Sequence, residues 1–288
     1  SGFLAAPLLA RLAGRARVVR LSRRGGPGLL RCDLSDPSQA LAAVRAARPG
    51  LVYHFAGDAR APGWDAMWRA HVTATVNLFE ALAALGAPVR VVVSGSSAEY
   101  GLAGGARRVS ETSPLEPLSL YGRCKLAQSL AALSFSRGPL EVVVARIFNV
   151  LGPGTPDCLA PGAFARQIAR VAEGRQEPEV LVGDLSPRRD YVDVRDVAAA
   201  LELMMRRGAP GESYIVGRGR SIPMRSVLRG MAAAAGVSVR ERADPSRRGV
   251  SGLRDLVSDP RKLRALGWAP RIPLARSFAD TVGWWRGR

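Results

Sequence analysis

Lysine is nearly absent from this chain. Of its 42 basic residues only Lys125 and Lys262 are lysines, and the rest are arginines. Acidic residues are scarce as well, 24 against 42, which leaves a formal net charge of +18. The three cysteines, Cys32, Cys124 and Cys158, are too few and too scattered for a disulfide framework or a zinc site. No metal is therefore expected. No apolar run approaches the ~20 residues that span a bilayer, so no membrane association is expected. The apolar stretch at 4–12 is short, with no basic segment before it and no cleavage-like site after it, so it reads as a helix rather than a secretion signal. The cytoplasm is the expected compartment. The positive charge invites a nucleic-acid reading. The arginines, however, run along the whole length, often as pairs at element ends, and are not interleaved with the few aromatics (6%). That pattern fits a GC-rich coding bias, and no nucleic-acid partner is expected. The same charge would help to steer an anionic substrate or a phosphorylated cofactor.

What is present is a globular α/β pattern. A chain of 288 residues, 47% hydrophobic, can bury a full core. Short β-branched runs at 16–21, 29–32, 51–55, 89–94, 140–147 and 179–182 alternate with Ala/Leu-rich helical stretches at 5–13, 37–47, 64–85, 119–136, 161–173 and 194–206. Continuous apolar strands separated by helices predict a parallel, doubly wound sheet of Rossmann type. Beyond about residue 211 the pattern loosens. Short strands at 213–216 and 237–241 and helices at 224–235, 260–266 and 274–286 suggest a smaller C-terminal lobe. The expected division is 1–150 for dinucleotide binding, with 184–208 packed on it, and 151–288 mainly for the substrate. A dinucleotide-binding sheet begins with a strand and a Gly-rich turn. Here Ser1-Gly-Phe-Leu4 leads directly into a helix. Gly2 reads as the last glycine of such a turn or as a flexible terminus, and the first strand is expected to be missing from this sequence.

The chemistry-bearing feature is Tyr121-Gly-Arg-Cys-Lys125, with Ser94-Gly-Ser-Ser-Ala-Glu-Tyr-Gly101 upstream. Tyrosine and lysine four apart on a helix share one face. A nearby ammonium favours the phenolate and so lowers the tyrosine pKa. The pair suggests a proton donor tuned for carbonyl chemistry. A buried His54 reads as a packed core residue rather than a base.

At this point the chain resembles the extended short-chain dehydrogenase/reductase family: nucleotide-sugar epimerases, dehydratases and 4-ketoreductases. The markers, in order, are Ser1-Gly-Phe-Leu4, Arg31-Cys-Asp-Leu34, Val52-Tyr-His-Phe-Ala-Gly57, Val93 to Gly101, Tyr121 to Lys125, Ala145-Arg-Ile-Phe-Asn-Val-Leu-Gly-Pro-Gly154 and Arg188-Arg-Asp-Tyr-Val-Asp-Val-Arg-Asp-Val197. Within the family, Gly183-Asp-Leu-Ser-Pro-Arg-Arg-Asp190 and the later Asp244-Pro-Ser-Arg-Arg248 are most similar to the branch that reduces GDP-linked 4-keto-6-deoxymannose.

The resemblance implies roles residue by residue. Tyr121 would protonate the carbonyl oxygen as hydride arrives at carbon. Lys125 would lower its pKa and hold the nicotinamide ribose. Ser96, four residues before Tyr100, would hydrogen-bond the substrate oxygen, with Ser94 and Ser97 as neighbouring candidates. Gly2, Phe3 and Leu4, Asp33 and Leu34, Phe55, Ala56 and Gly57, and Phe148 would border the cofactor. Ser22, Arg23 and Arg24 follow the second strand, where an NAD site carries a carboxylate, so NADP is expected over NAD. Ser97, Asn149, Arg189 and Arg247 would contact a nucleotide-sugar substrate, although Arg189–Asp190 also reads as a structural ion pair. Family dehydratases carry an acid two residues after the catalytic serine. Here that position is Ala98, with Glu99 shifted by one, which argues against a dehydratase. NADPH-dependent 4-ketoreduction is the leading expectation. Its rivals are a 4-epimerase holding NAD, a ketoreductase for a non-sugar natural product, and an inactive cofactor-binding protein. A homodimer built on helices 64–85 and 119–136 is expected by the same resemblance.

Overall fold

The computed structural model describes residues 2–101, 108–247 and 255–288. The chain runs through α1 (Ala5–Leu12), β1 (Leu21–Ser22), β2 (Leu30–Arg31), α2 (Pro37–Ala47), β3 (Leu51–His54), α3 (Gly63–Trp68), α4 (Ala74–Ala83), β4 (Val89–Ser96) and β5 (Arg108–Val109). It continues through α5 (Leu120–Ser134), β6 (Leu140–Ile147), β7 (Asn149–Leu151), α6 (Ala160–Ala172), β8 (Glu179–Val182), β9 (Arg188–Asp193), α7 (Val194–Arg207) and β10 (Ser213–Val216). The remainder is β11 (Ser221–Pro223), α8 (Met224–Ala235), β12 (Arg240–Ala243), β13 (Asp255–Ser258), α9 (Arg261–Ala265) and α10 (Leu274–Trp285).

The main sheet has the order β10-β6-β4-β3 and every pairing in it is parallel. Its strands are valine-rich because both faces are covered. Successive strand side chains point to opposite faces. Accordingly, Val91, Val93, Val142 and Val144 pack with α2, α4 and α5 residues such as Val44, Phe79, Leu82 and Ala132. Val92, Val143, Ala145 and Ile147 pack on the other side with Val197, Leu201 and Met204 of α7 and with Trp268. The α1 helix lies on α7, held where Glu202 accepts from Arg11 at 2.7 Å and from Arg15 at 2.9 Å. This is the doubly wound α/β layering expected of the sequence.

Among the described residues the Gly2 carbonyl accepts from the Ala5 and Ala6 amides and leads into α1. β1 and β2 pair with each other as a separate parallel ladder. Val18 and Val19 before β1, Leu21 within it and Leu51 at the start of β3 are exposed.

Three sequence expectations are corrected. The run at 213–216, expected in the C-terminal lobe, is β10, the edge strand of the main sheet beside β6. The strand expected at 237–241 lies at Arg240–Ala243 and pairs with β8. The helix expected over 64–85 is broken by a π-turn at Arg69–Thr73 between α3 and α4. A π-turn inserts a residue into the helical turn, and here it brings His71 into the interior, 3% exposed.

A second sheet has the order β11-β9-β13-β5, with β7 also paired to β9. α6, α8 and α10 pack on one another around Phe164, Ile168, Leu228, Met231 and Phe278. Apart from β5, these elements follow β6 in the chain, and ligand sites of parallel sheets collect beyond the carboxyl ends of strands such as β4 and β6.

Candidate active site

Ser96 ends β4, and its φ of −148° and ψ of 147° turn the chain from strand into a 3-10 turn, Ser97–Glu99. The Ser96 hydroxyl accepts from the Ala98 amide at 3.2 Å, and the Ser96 amide donates to Glu99 Oε1 at 2.7 Å. This reciprocal capping box fixes the serine. The Glu99 carboxylate points inward rather than toward solvent: it also accepts from Ser129 Oγ at 3.0 Å and pairs with the buried Arg146 at 3.0 Å. Burial lifts the Glu99 carboxyl above the usual carboxylate range, against the pull of Arg146 and Lys125.

Tyr121 stands in the first turn of α5, which Ser119 caps by accepting from the Gly122 amide at 3.0 Å. A Cβ on Gly122 would come within 2.5 Å of the Ala98 carbonyl oxygen. The glycine therefore lets α5 lie against the turn that carries Ser96. The phenol of Tyr121 stands next to the Ser96 side chain. Burial pushes the Tyr121 pKa up, the Ser96 hydrogen bond pulls it down, and the Glu99 charge adds to the rise. Lys125 is buried and turned inward, with Nζ donating to the Ser94 carbonyl and to Gln128 Oε1. Burial lowers its own pKa to about 8, with Glu99 opposing.

Behind Lys125 lies a buried polar cluster. Gln128 Nε2 donates to Thr75 Oγ1 at 2.9 Å, His54 Nε2 lies 2.8 Å from the same oxygen, and Thr75 Oγ1 donates to the His71 carbonyl at 2.5 Å. His54 is pushed down to about 3 by burial and by Lys125, so it is a neutral packed residue, as the sequence suggests. The ring of His71 meets Tyr121 edge-on, with centroids 5.6 Å apart. Burial and Lys125 lower its pKa to about 4, and neither ring nitrogen makes a hydrogen bond of proper geometry. Gly57, at φ +154°, sits against that ring, where a Cβ would fall 2.3 Å from His71 Cε1.

The other expected residues divide into groups. Phe55, Ala56 and Gly57 follow β3; Gly57 borders the His71 ring, and Phe55 stacks on Tyr53 with centroids 6.3 Å apart. Ser22, Arg23 and Arg24 turn out of β1, with both arginines exposed. Asp33 is held below its usual pKa chiefly by the Ser35 amide, with Arg23 and Arg69 adding to the effect. Leu34 gives its carbonyl to Asn77 Nδ2 at 2.9 Å. Gly2 is exposed, and Leu4 packs with the cluster that holds Tyr53 and Phe55. Phe3 lies beside Gly154, where a Cβ on the glycine would be 3.6 Å from its ring and 3.9 Å from Trp284. Ser97 is half-buried in the 3-10 turn.

The Phe148 side chain, 3% exposed, packs in an apolar cluster with Tyr100, Val109, Ile215 and Leu256. Asn149 Nδ2 donates to the Asp190 carbonyl at 3.3 Å. Arg189 is half-buried, and burial lowers its pKa against Tyr191 and Asp255. The Asp190 carboxylate is satisfied by the amides of Arg218, Gly219 and Ser258 and by the Ser258 hydroxyl, which explains its burial. The Arg247 backbone closes the turn Pro245–Arg247, and its side chain lies outside the described residues.

Sequence reasoning missed Gln128, Thr75, His71, Gly122 and the anchoring role of Glu99. Gln128 falls three residues after Lys125, a spacing that shares a helix face and could have signalled it. Nothing in the sequence announces the π-turn that brings in His71. Two cavities, of about 460 and 230 Å³, lie elsewhere, around Arg108 and Gly219.

These residues suit a dinucleotide on observed grounds. A Cβ-free glycine borders the Tyr121 cluster, a buried imidazole beside it has unspent hydrogen-bonding capacity, and two exposed arginines stand at the β1 exit.

The family described as "NAD dependent epimerase/dehydratase family" matches residues 1–217. The GDP-6-deoxy-D-mannose reductase of Pseudomonas aeruginosa is 31% identical over 267 residues, covering 90% of this chain and 87% of that protein. The dTDP-6-deoxy-L-talose 4-dehydrogenase (NAD(P)(+)) of Kitasatospora kifunensis is 29% identical, covering 97% and 92%. Among solved structures, that of RMD from Pseudomonas aeruginosa complexed with NADPH superposes with a TM-score of 0.86 at 28% identity, covering 99% of this chain and 95% of that one. The UDP-glucose 4-epimerase of Thermus thermophilus complexed with NAD gives 0.85 at 28% identity, covering 99% and 96%. The chain belongs to the NAD-dependent epimerase/dehydratase family.

Proposed function

We propose that this protein reduces the 4-keto group of a nucleotide-linked 4-keto-6-deoxy sugar, using NADPH. The observation that carries the reading is the juxtaposition of Ser96, at the carboxyl end of β4, with the Tyr121 phenol, and Lys125 one turn further along α5. When bound, the nicotinamide supplies the hydride. Tyr121 gives its phenolic proton to the carbonyl oxygen, which Ser96 holds. Burial keeps Tyr121 protonated at neutral pH, which suits a proton donor. Lys125 restores the proton and stabilises the charge that develops on the phenol.

Arg23 and Arg24 at the β1 exit favour a 2′-phosphate through bidentate guanidinium contacts. That supports NADPH over NAD, as does the similarity to a relative solved with NADPH. Gly2, Phe3, Leu4, Asp33, Leu34, Phe55, Ala56 and Gly57 frame the same cofactor. Ser97, Asn149, Arg189 and Arg247 serve the nucleotide sugar. In this reading residues 1–150 with 184–208 hold the cofactor and the rest mainly holds the substrate. Ala98 cannot titrate, and the Glu99 carboxylate is spent on Arg146 and Ser129, which disfavours dehydration.

The exposed Trp64 and Trp68, stacked at 5.5 Å, and the exposed Leu130 on α5 support a homodimer through these helices. Free thiols at Cys32, Cys124 and Cys158 suit the cytoplasm. No helix among the described residues is long and apolar enough to cross a membrane.

The test is NADPH oxidation against a panel of nucleotide-linked 4-keto-6-deoxy sugars. Net consumption of NADPH with formation of a 6-deoxy sugar is expected. Interconversion of sugars without net redox change would establish a 4-epimerase instead.

A further inference from the structure

The buried polar cluster behind Lys125 has a fixed direction of hydrogen bonding. Thr75 Oγ1 gives its single proton to the His71 carbonyl at 2.5 Å. It is then left as an acceptor, and it accepts from Gln128 Nε2 at 2.9 Å and from His54 Nε2 at 2.8 Å. Gln128 must therefore turn its NH2 toward Thr75 and its carbonyl oxygen toward Lys125, and Nζ meets that oxygen. Gln128 and Thr75 have no exposed surface and His54 is 3% exposed, so water cannot substitute for any of these partners.

We propose that Gln128 is the positioning residue for Lys125, with its carboxamide oxygen locked onto the ammonium by the Thr75–His54 pair. Lys125 itself sits between this oxygen and the Ser94 carbonyl at the end of β4. Four elements thus set where one ammonium lies: β4 through the Ser94 carbonyl, β3 through His54, α4 through Thr75, and α5 through Gln128. The ionisable groups that face it are Glu99 from the turn after β4, His54 from β3 and His71 from the π-turn. Only Glu99 is an acid, and its charge is shared with Arg146. A neutral acceptor facing the ammonium favours its charged form, and removing that acceptor in a dry site disfavours it. The consequence for turnover rests on the proposed role of Lys125; the contact itself does not.

Having only two lysines makes the contact directly readable. Protein labelled with ¹³Cε-lysine gives two signals, and Lys262→Arg assigns them. Gln128→Leu keeps the side-chain volume and removes the acceptor. The Lys125 titration midpoint is expected to fall by about one pH unit. Gln128→Glu, which supplies a charged acceptor, is expected to raise it by a similar amount. Thr75→Val touches neither Lys125 nor its acceptor atom, yet by unlocking the carboxamide it is expected to move the midpoint in the same direction as Gln128→Leu. If Gln128→Leu does not fold, the opposite signs of the other two variants carry the test. A Lys125 midpoint unmoved in the folded variants overturns the proposal, as does a Thr75→Val shift upward. NADPH turnover is read in parallel. Midpoints that move as expected in a protein that reduces no 4-keto sugar uphold the positioning and defeat the proposed function. Turnover with unmoved midpoints does the reverse.

Discussion

The Ser96 amide donates to the Glu99 carboxylate at 2.7 Å, and that carboxylate is ion-paired with Arg146 on the adjacent strand at 3.0 Å. The serine that meets the Tyr121 phenol is thereby tied to the centre of the sheet. Removing one member of a buried pair leaves an uncompensated charge and costs about 3–5 kcal/mol. Glu99→Gln is expected to lose stability on that scale in urea denaturation. Glu99→Asp, which shortens the reach to Ser96, is expected to lower activity as well.

Tyr121→Phe removes the phenolic proton and little else. Turnover is expected to fall about 100-fold or more, the scale of general-acid loss. NADPH binding, followed by quenching of tryptophan fluorescence, is expected to persist. A variant that retains turnover would exclude Tyr121 as the proton donor.

Gly122→Ala would place a methyl group within 2.5 Å of the Ala98 carbonyl and lever Tyr121 away from Ser96. Displacements of about 1 Å at a reacting group cost about 100-fold in rate. The expected signature is a large drop in kcat with a nearly unchanged KM for NADPH, measured by steady-state kinetics.

The ammonium of Lys125 titrates near 8 because burial opposes its charge more than Glu99 supports it. Activity that needs the charged lysine is present at neutral pH and falls as pH rises through about 8. A plot of kcat/KM against pH reports the free enzyme and is expected to show this alkaline limb. Lys125→Arg is expected to abolish the limb together with most of the activity, since a guanidinium stays charged and does not fit a compact donor site.

Glu202 offers a pH dependence of stability. Burial would raise its pKa, but hydrogen bonds and charge from Arg11 and Arg15 outweigh burial and leave it lowered from 4.5. A carboxylate with a depressed folded-state pKa contributes fully above its unfolded value and loses that contribution as pH falls through the folded one. The stability advantage of the wild type over Glu202→Gln is therefore expected at neutral pH and to vanish progressively below about 4.5 in acid melts.

Much of the fold is legible in the sequence because it rests on local pattern. Alternating valines in 89–94 and 140–147 belong to strands covered on both faces, and the structure divides Val91 and Val93 from Val92 between two helical layers. The Tyr121–Lys125 spacing places both residues on α5 without further information. The 213–216 run reads as part of the wrong lobe because a short apolar strand does not announce which sheet it joins, and only its pairing with β6 decides that.

The sequence by itself determined the layered α/β architecture, the family, and the presence of a serine, a tyrosine and a lysine for carbonyl chemistry. These depend on periodicity, motif spacing and residue type. Tertiary structure alone decided what those groups face. It set Lys125 on Gln128 and the Ser94 carbonyl, set burial and the Glu99 charge against hydrogen bonding in the Tyr121 pKa, withdrew Glu99 to Arg146, and packed the Phe148 side chain in the core. The physical reason is the same in each case: hydrogen-bond direction and desolvation depend on neighbours from distant parts of the chain, and no local pattern encodes them.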